Sequence, residues 1–227
     1  MSHYDLIVIG SGPAGRRAAI QAAKFKKSVL VVEKGHRVGG VCVHTGTIPS
    51  KTLRETVLNL SGWRERGFYG RAYRVKQDIS AEDLKRRLSI TLDHEVEILE
   101  HQFARNKVDK IGGTAKFLDA HRIAVTSEPG EVAEFSADRF VLAVGTAPYR
   151  PADVPFDGET VLDPDDILDL KRLPRSLAVV GAGVIGIEYA TIFSALDVKV
   201  TVIDPGASIL PFVDQVWQVY VLIFLLQ

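Results

Sequence analysis

A chain of 227 residues, 46% of them hydrophobic, can bury one large core or two smaller ones, and two nucleotide-sized units fit within it. Lys plus Arg and Asp plus Glu each number 28, so the formal charge is zero, and no basic stripe marks a nucleic-acid surface. The single cysteine, Cys42, excludes an internal disulfide framework and fits a reducing cytoplasm.

The first element is an apolar strand at residues 6–9, with no basic region and long apolar core of a secretion signal ahead of it. It enters Gly10-Ser11-Gly12-Pro13-Ala14-Gly15, after which an alanine-rich helix runs through Ala23, a strand covers residues 28–32, and Glu33 follows. The first glycine permits the tight turn, the second lets a pyrophosphate approach the backbone, and the third lets helix and strand pack closely. The helix start offers free N–H groups to phosphate, and the acid can accept from a ribose hydroxyl.

Next comes Gly39-Gly40-Val41-Cys42-Val43-His44-Thr45-Gly46-Thr47-Ile48-Pro49-Ser50-Lys51. Cys42 has no thiol within this chain to pair with, and Thr47 stands five residues on. Residues 50–60 form a helix opened by Pro49 and Ser50, and 81–105 form a long amphipathic helix carrying Leu84, Leu88, Leu92, Val96 and Leu99 on one face. Short alternating runs at 114–117, 122–126 and 132–135 make an antiparallel meander, and 140–144 returns as a core strand ended by Gly145. Pro148, Pro151, Pro155, Pro164 and Pro174 mark a turn-rich connection.

The connection leads to a second copy of the opening pattern, offset by 171 residues without a gap. A strand at 177–180 enters Gly181, Gly183 and Gly186, a helix runs through Ala195, and a strand at 198–203 ends on Asp204. Two copies with matching acid spacing point to two dinucleotide sites. The apolar stretch 216–226, broken only by Gln218, is too short for the roughly 20 residues of a membrane span and reads as a buried helix or an end whose packing partner is absent.

These motifs, in this order, resemble the FAD-dependent pyridine nucleotide-disulfide oxidoreductases, the group of lipoamide dehydrogenase, glutathione reductase and mercuric reductase. The resemblance covers about residues 4–215 and implies an α/β fold: a Rossmann-like FAD-binding domain at 1–150, a parallel sheet with a small antiparallel meander, then an incomplete Rossmann-like NAD(P)-binding domain at 151–215. Residues 216–227 form a tail outside the family pattern, and the chain reads as truncated at its carboxyl end. The family's homodimer is expected, although the domain that forms it is absent from these residues.

The resemblance puts FAD against Gly10, Gly12, Pro13, Ala14 and Gly15, and against Glu33, Lys34, Gly35, His36, Arg37 and Val38. It adds Gly39, Gly40, Val41, Cys42 and Lys51, then Thr114, Ala115 and Gly145. The nicotinamide dinucleotide falls to Gly181, Gly183, Val184, Ile185, Gly186 and Asp204. Lys51 and Glu188 are the implied catalytic residues, as an ion pair across the two domains, with the Lys51 ammonium steadying negative charge on the reduced flavin. His44 reads as packing or a neighbour of the flavin phosphate.

The soluble pyridine nucleotide transhydrogenase branch shares the lone cysteine followed by histidine and Gly46-Thr47-Ile48-Pro49-Ser50-Lys51. What it implies is FAD-dependent hydride transfer from NADPH to NAD+, since electrons have no disulfide to reach. Asp204 favours the free ribose of NAD(H), so the extra phosphate of NADP(H) is left to Lys199 or to residues outside these. Two alternatives stand beside it: a dihydrolipoyl dehydrogenase or diaphorase-like oxidoreductase, and a non-catalytic FAD-binding fragment.

Overall fold

The structure, a computed structural model, describes residues 2–70, 72–128, 130–206, 208–210, 212–214 and 216–218. The apolar stretch expected as a buried helix or an unpartnered end lies, beyond residue 218, outside the described residues. Contacts divide the chain into two units, Met1–Pro49 with Ile90–Tyr149 and Ser50–Ser89 with Arg150–Gln227. Residues 50–89 are thus grouped with the second unit, not with the 1–150 block that the sequence groups.

The first unit opens with β1 (Ser2–Ile9), α1 (Pro13–Lys24), β2 (Val29–Glu33) and α2 (Gly40–His44). Helix α3 (Thr47–Leu60) starts three residues earlier than the sequence suggests, with Pro49 in its first turn, where a missing N–H costs little. A short α4 (Arg66–Tyr69) and the long α5 (Ala81–Arg105) follow, and then β3 (Asp109–Gly112), β4 (Thr114–Phe117), β5 (Arg122–Thr126) and β6 (Val132–Leu142). After them come β7 (Ser176–Val180), α6 (Val184–Ser194) and β8 (Lys199–Ile203), which share the second unit with residues 50–89.

Six strands of the first unit form one sheet in the order β3-β2-β1-β6-β5-β4. β3, β2, β1 and β6 run parallel, while β5 and β4 are antiparallel additions. β6 corrects the expectation of two separate strands at 132–135 and 140–144. It is one 11-residue strand that ends at Leu142, pairing with β5 over its first half and with β1 from Phe135 to Leu142. The polar residues Ser136, Asp138 and Arg139 hid its continuity, because their side chains leave the sheet while Ala137 is buried within it.

Period-two alternation sorts the core. Val8, Val29 and Val31 face Ala19 of α1 and Val96, Leu99 and Phe103 of α5. Ile7, Leu30 and Val32 face Ile123, Val125 and Ala137. Full burial of Leu99 or Phe103 is worth about 1.5 to 3 kcal/mol of transfer free energy each. In the second unit, Leu53, Val57 and Leu58 of α3 and Leu84 of α5 pack with Tyr189, Ile192 and Phe193 of α6.

The repeat is a repeat of geometry as well as sequence. β1 and β2 pair Leu6 with Val29 and Ile9 with Val32, and β7 and β8 pair Leu177 with Val200 and Val180 with Ile203. Gly10 and Gly181 turn at φ 103° and 105°, a conformation that favours glycine. Each then donates its N–H to the last or penultimate residue of the second strand, Val32 and Ile203, at 2.8 Å.

Candidate dinucleotide sites

Around the first repeat lies a cleft of about 800 Å³, of the size that takes a small molecule or dinucleotide. It is lined by Gly10, Ser11, Gly12, Pro13 and Ala14 at the start of α1, and by Glu33 to Arg37 after β2. Gly40, Val41 and Cys42 of α2, Gly113, Thr114 and Ala115 at β4, and Ala143 to Thr146 after β6 complete most of the wall. All of these belong to the first unit.

The parallel sheet explains the convergence. Segments leaving the carboxyl ends of β1, β2 and β6 open at one edge, the usual place for a ligand in an open α/β sheet. Gly12 caps α1 without any side-chain hydrogen bond, and Pro13 follows it, so the first-turn N–H groups are left for a ligand or solvent.

The glycines separate protein packing from ligand space. A Cβ on Gly15 would stand 1.9 Å from the Gly10 carbonyl oxygen, and one on Gly186 would stand 2.1 Å from that of Gly181. Those two are glycine because helix and turn touch. A Cβ on Gly12 or Gly183 would meet nothing within 4 Å among the described residues, and both have ordinary negative φ. Nothing among the described residues demands glycine there; an approaching pyrophosphate would, so the residues fit such a group at both repeats.

The acids repeat too. Glu33 accepts from the Ser11 N–H at 2.9 Å, the Ser11 hydroxyl at 2.5 Å and the Gly35 N–H at 2.8 Å. Asp204 accepts from the Ala182 and Gly206 N–H groups, at 2.6 and 2.7 Å, which hold its carboxyl below the usual range.

Of the sequence-expected residues in the first unit, Gly15, Val38 and Gly39 do not line the cleft. Gly15 lies against Gly10, Val38 joins the core, and Gly39 donates to the Ser11 hydroxyl at 2.9 Å. His44 does line it, with its Nε2–H directed 3.0 Å to the Val38 carbonyl. Ser11, Gly113, Ala143, Val144 and Thr146 line it too, although they are not among the expected binding residues: Ser11 sits within the first glycine motif, and the others flank expected residues at the ends of neighbouring strands. Val184 and Ile185, at the start of α6, are exposed.

Lys51 and Glu188 meet in an ion pair. Both lie in the second unit, which corrects the expectation of a pair across two domains: the segment carrying Lys51 packs with α6. The Glu188 side chain is 16% exposed and that of Lys51 57%. Lys199 opens β8, five residues before Asp204, on the order of 16 Å away along a strand, so it cannot serve a phosphate beside Asp204. Among the described residues no group of three or more His, Cys, Asp or Glu is arranged to hold a metal ion, and no helix is long and apolar enough to cross a membrane.

Fold, cleft and doubled glycine turn define a chain built from two Rossmann-like units, each with the strand, glycine turn and helix of that fold. The sequence profile of the family described as "Pyridine nucleotide-disulphide oxidoreductase" matches residues 4–223, and the chain belongs to that family. A protein named "Soluble pyridine nucleotide transhydrogenase" from Mycobacterium bovis is 52% identical over 215 residues, covering 94% of this chain and 46% of its own. One of the same name from Colwellia psychrerythraea is 42% identical, covering 93% and 45%.

Among solved structures, LpdA from Mycobacterium tuberculosis superposes with a TM-score of 0.86 at 27% identity, covering 99% of this chain and 50% of that one. The HOCl-induced flavoprotein disulfide reductase RclA from Escherichia coli gives 0.81 at 25%, covering 98% and 47%. The chain spans about half the length of the curated relatives it matches.

Proposed function

We propose that these residues form the FAD-binding unit and part of the nicotinamide-binding unit of a pyridine nucleotide oxidoreductase of transhydrogenase type, converting NADPH and NAD+ to NADP+ and NADH. The observation that carries the reading is the pair Gly12 and Gly183, each glycine at a helix start where the described residues require none. The names of the relatives support the transhydrogenase type of the reaction.

Bound in the cleft, FAD would supply two-electron chemistry between one nicotinamide and the next. Gly10, Gly12, Pro13 and Ala14 would hold its pyrophosphate on the start of α1, with Gly15 keeping that turn closed. Glu33 would accept from its ribose, and Lys34 to Arg37 would border that end. Gly40 to Cys42, Thr114, Ala115 and Gly145 would enclose the remainder, with Val38 and Gly39 fixing the chain behind them.

Lys51 would hold its ammonium toward developing negative charge on the reduced ring, and Glu188 would fix that ammonium in place. In the second unit, Gly181, Gly183, Val184 and Ile185 would receive the nicotinamide dinucleotide's phosphates, with Gly186 keeping that turn closed, and Asp204 its ribose. Asp204 supports NAD(H) at that position. Discrimination of NADP(H) falls to residues other than Lys199.

Transfer between nicotinamides rather than to a disulfide is supported by the lone Cys42, with Thr47 at the start of α3. Cys42 then serves as a wall of the cleft and not as a nucleophile. A cytoplasmic location is part of the proposal, supported by the word "soluble" in the relatives' names, and a homodimer is carried over from the family resemblance.

The test is anaerobic titration of the purified protein with NADPH and then NAD+, following flavin absorbance at about 450 nm. Bleaching followed by recovery is expected. Bound FAD that neither nicotinamide bleaches would instead identify a non-catalytic flavin-binding protein. A thiolate-to-flavin charge-transfer band with lipoamide reduction would identify a dihydrolipoyl dehydrogenase-like enzyme.

A further inference from the structure

The two repeats match in backbone, register and acid, but they differ at the residue between the first two glycines. That residue is Ser11 in the first copy and Ala182 in the second. The Ser11 side chain is buried, with the residue 1% exposed. Its hydroxyl donates to Glu33 at 2.5 Å and accepts the Gly39 N–H at 2.9 Å. In the second copy the carboxylate of Asp204 has, among the described residues, backbone donors alone, and the residue matching Gly39, Leu210, donates to the Ala182 carbonyl at 3.2 Å.

One hydroxyl therefore joins two walls of the cleft in the first unit. On one side it fixes Oε2 of Glu33, which also receives the Ser11 N–H, while Oε1 receives Gly35. A carboxylate offers about four acceptor positions, so three are taken and one, on Oε1, is left without a donor among the described residues. On the other side it holds the turn at Gly39, φ 124°, directly before Gly40. A Cβ on Gly40 would stand 2.8 Å from the Gly12 Cα, so the turn and the phosphate loop are in contact.

We propose that Ser11 is a positioning residue for the first dinucleotide site, coupling the ribose-accepting orientation of Glu33, through Gly39, to the placement of the Gly40–Cys42 wall. This rests on the FAD reading of the cleft. Ser11 would act on both halves of the ligand, the adenosine end through Glu33 and the remainder through Gly39.

The test measures dissociation constants of FAD and of ADP for the full chain, for Ser11→Ala, for Glu33→Gln and for the double variant, by flavin fluorescence and by calorimetry. Ser11→Thr, which keeps the hydroxyl, serves as the rescue variant. Ser11→Ala is expected to weaken FAD about tenfold or more and ADP by a smaller factor, with the double variant losing less than the product of the single losses. Ser11→Thr should recover most of the FAD affinity. Multiplicative losses in the double variant, or equal losses of FAD and ADP, would overturn the assignment of Ser11 while leaving the FAD reading intact. Failure of the unsubstituted chain to bind either ligand would overturn both.

Discussion

Lys26 and Asp197, 171 positions apart, both hold a left-handed backbone, with φ of 63° and 61°. Each ends the helix of its repeat in the same way: Lys26 donates to Ala23 and Lys27 to Ala22, while Asp197 donates to Ser194 and Val198 to Phe193. This is the Schellman arrangement, whose left-handed position normally goes to glycine.

Lys26→Gly should relieve that strain and raise stability by about 1 kcal/mol. Asp197→Gly should not, because Asp197 also pairs with Arg66 and Arg74. Urea midpoints of the two variants check this, the expected result being a gain for the first and no gain for the second.

The two kinds of glycine should fail differently. Gly15→Ala forces its Cβ into the Gly10 carbonyl and should lower stability by about 1 to 3 kcal/mol together with FAD affinity. Gly12→Ala has open space and ordinary φ, so the ligand-free protein should melt within a degree or two of the parent while FAD binding falls at least about tenfold. Melting curves with and without FAD separate the cases; a Gly12→Ala protein that binds FAD as before would remove the pyrophosphate from that loop.

Lys51→Ala should slow flavin bleaching by NADPH about 10- to 100-fold while the protein keeps its FAD. Glu188→Gln should slow it by less, since the ammonium stays but loses its partner. Stopped-flow reduction measures both, and an unchanged rate in Lys51→Ala would end the role given to that residue.

Asp204→Ala should weaken NADH about tenfold and improve NADPH relative to it. The Asp204 carboxyl is held below its usual range by the Ala182 and Gly206 N–H groups, so it stays charged to lower pH than an unfolded aspartate. Its contribution to binding should be constant through neutral pH and down past the ordinary carboxylate value of about 3.9, disappearing only below it. NADH titrations between neutral pH and pH 5 should show no loss attributable to this group.

Asp163 is buried in the second unit, where it accepts the Asp165 and Asp166 N–H groups and pairs with Arg150. Burial alone would raise its pKa, but these donors outweigh burial and lower it. A lowered folded pKa gives stability that is full above the unfolded value of about 3.9 and is lost as pH falls through the folded one. Asp163→Asn should therefore cost about 1 to 3 kcal/mol at pH 7, with the gap narrowing in acid, as urea melts at several pH values would register.

The doubled fold was legible because the glycine turn and its acid are local: residues within one strand-turn-helix unit specify both. Sheet neighbours are not local. Nothing near Asp109 announces that β3 pairs in parallel with β2, because its run of Asp109, Lys110, Ile111 and Gly112 lacks the apolar continuity of Val29 to Val32. Ser11 was passed over for a similar reason. A serine between two glycines reads as turn chemistry until Glu33 and Gly39 are seen to close around it. The partnership of Lys51 with Glu188 was readable through the resemblance, whereas the unit holding it depends on Leu53 and Val57 packing with α6, which periodicity alone does not assign.

Cys42, free and half-buried at the cleft, has a bearing on chemical poisons. Trivalent arsenicals disable dithiol enzymes by bridging two neighbouring sulfurs, and these 227 residues offer such a reagent one. Peroxide acting on that sulfur would make a sulfenic acid with no second thiol among these residues to resolve it, so its repair would depend on a thiol from outside them.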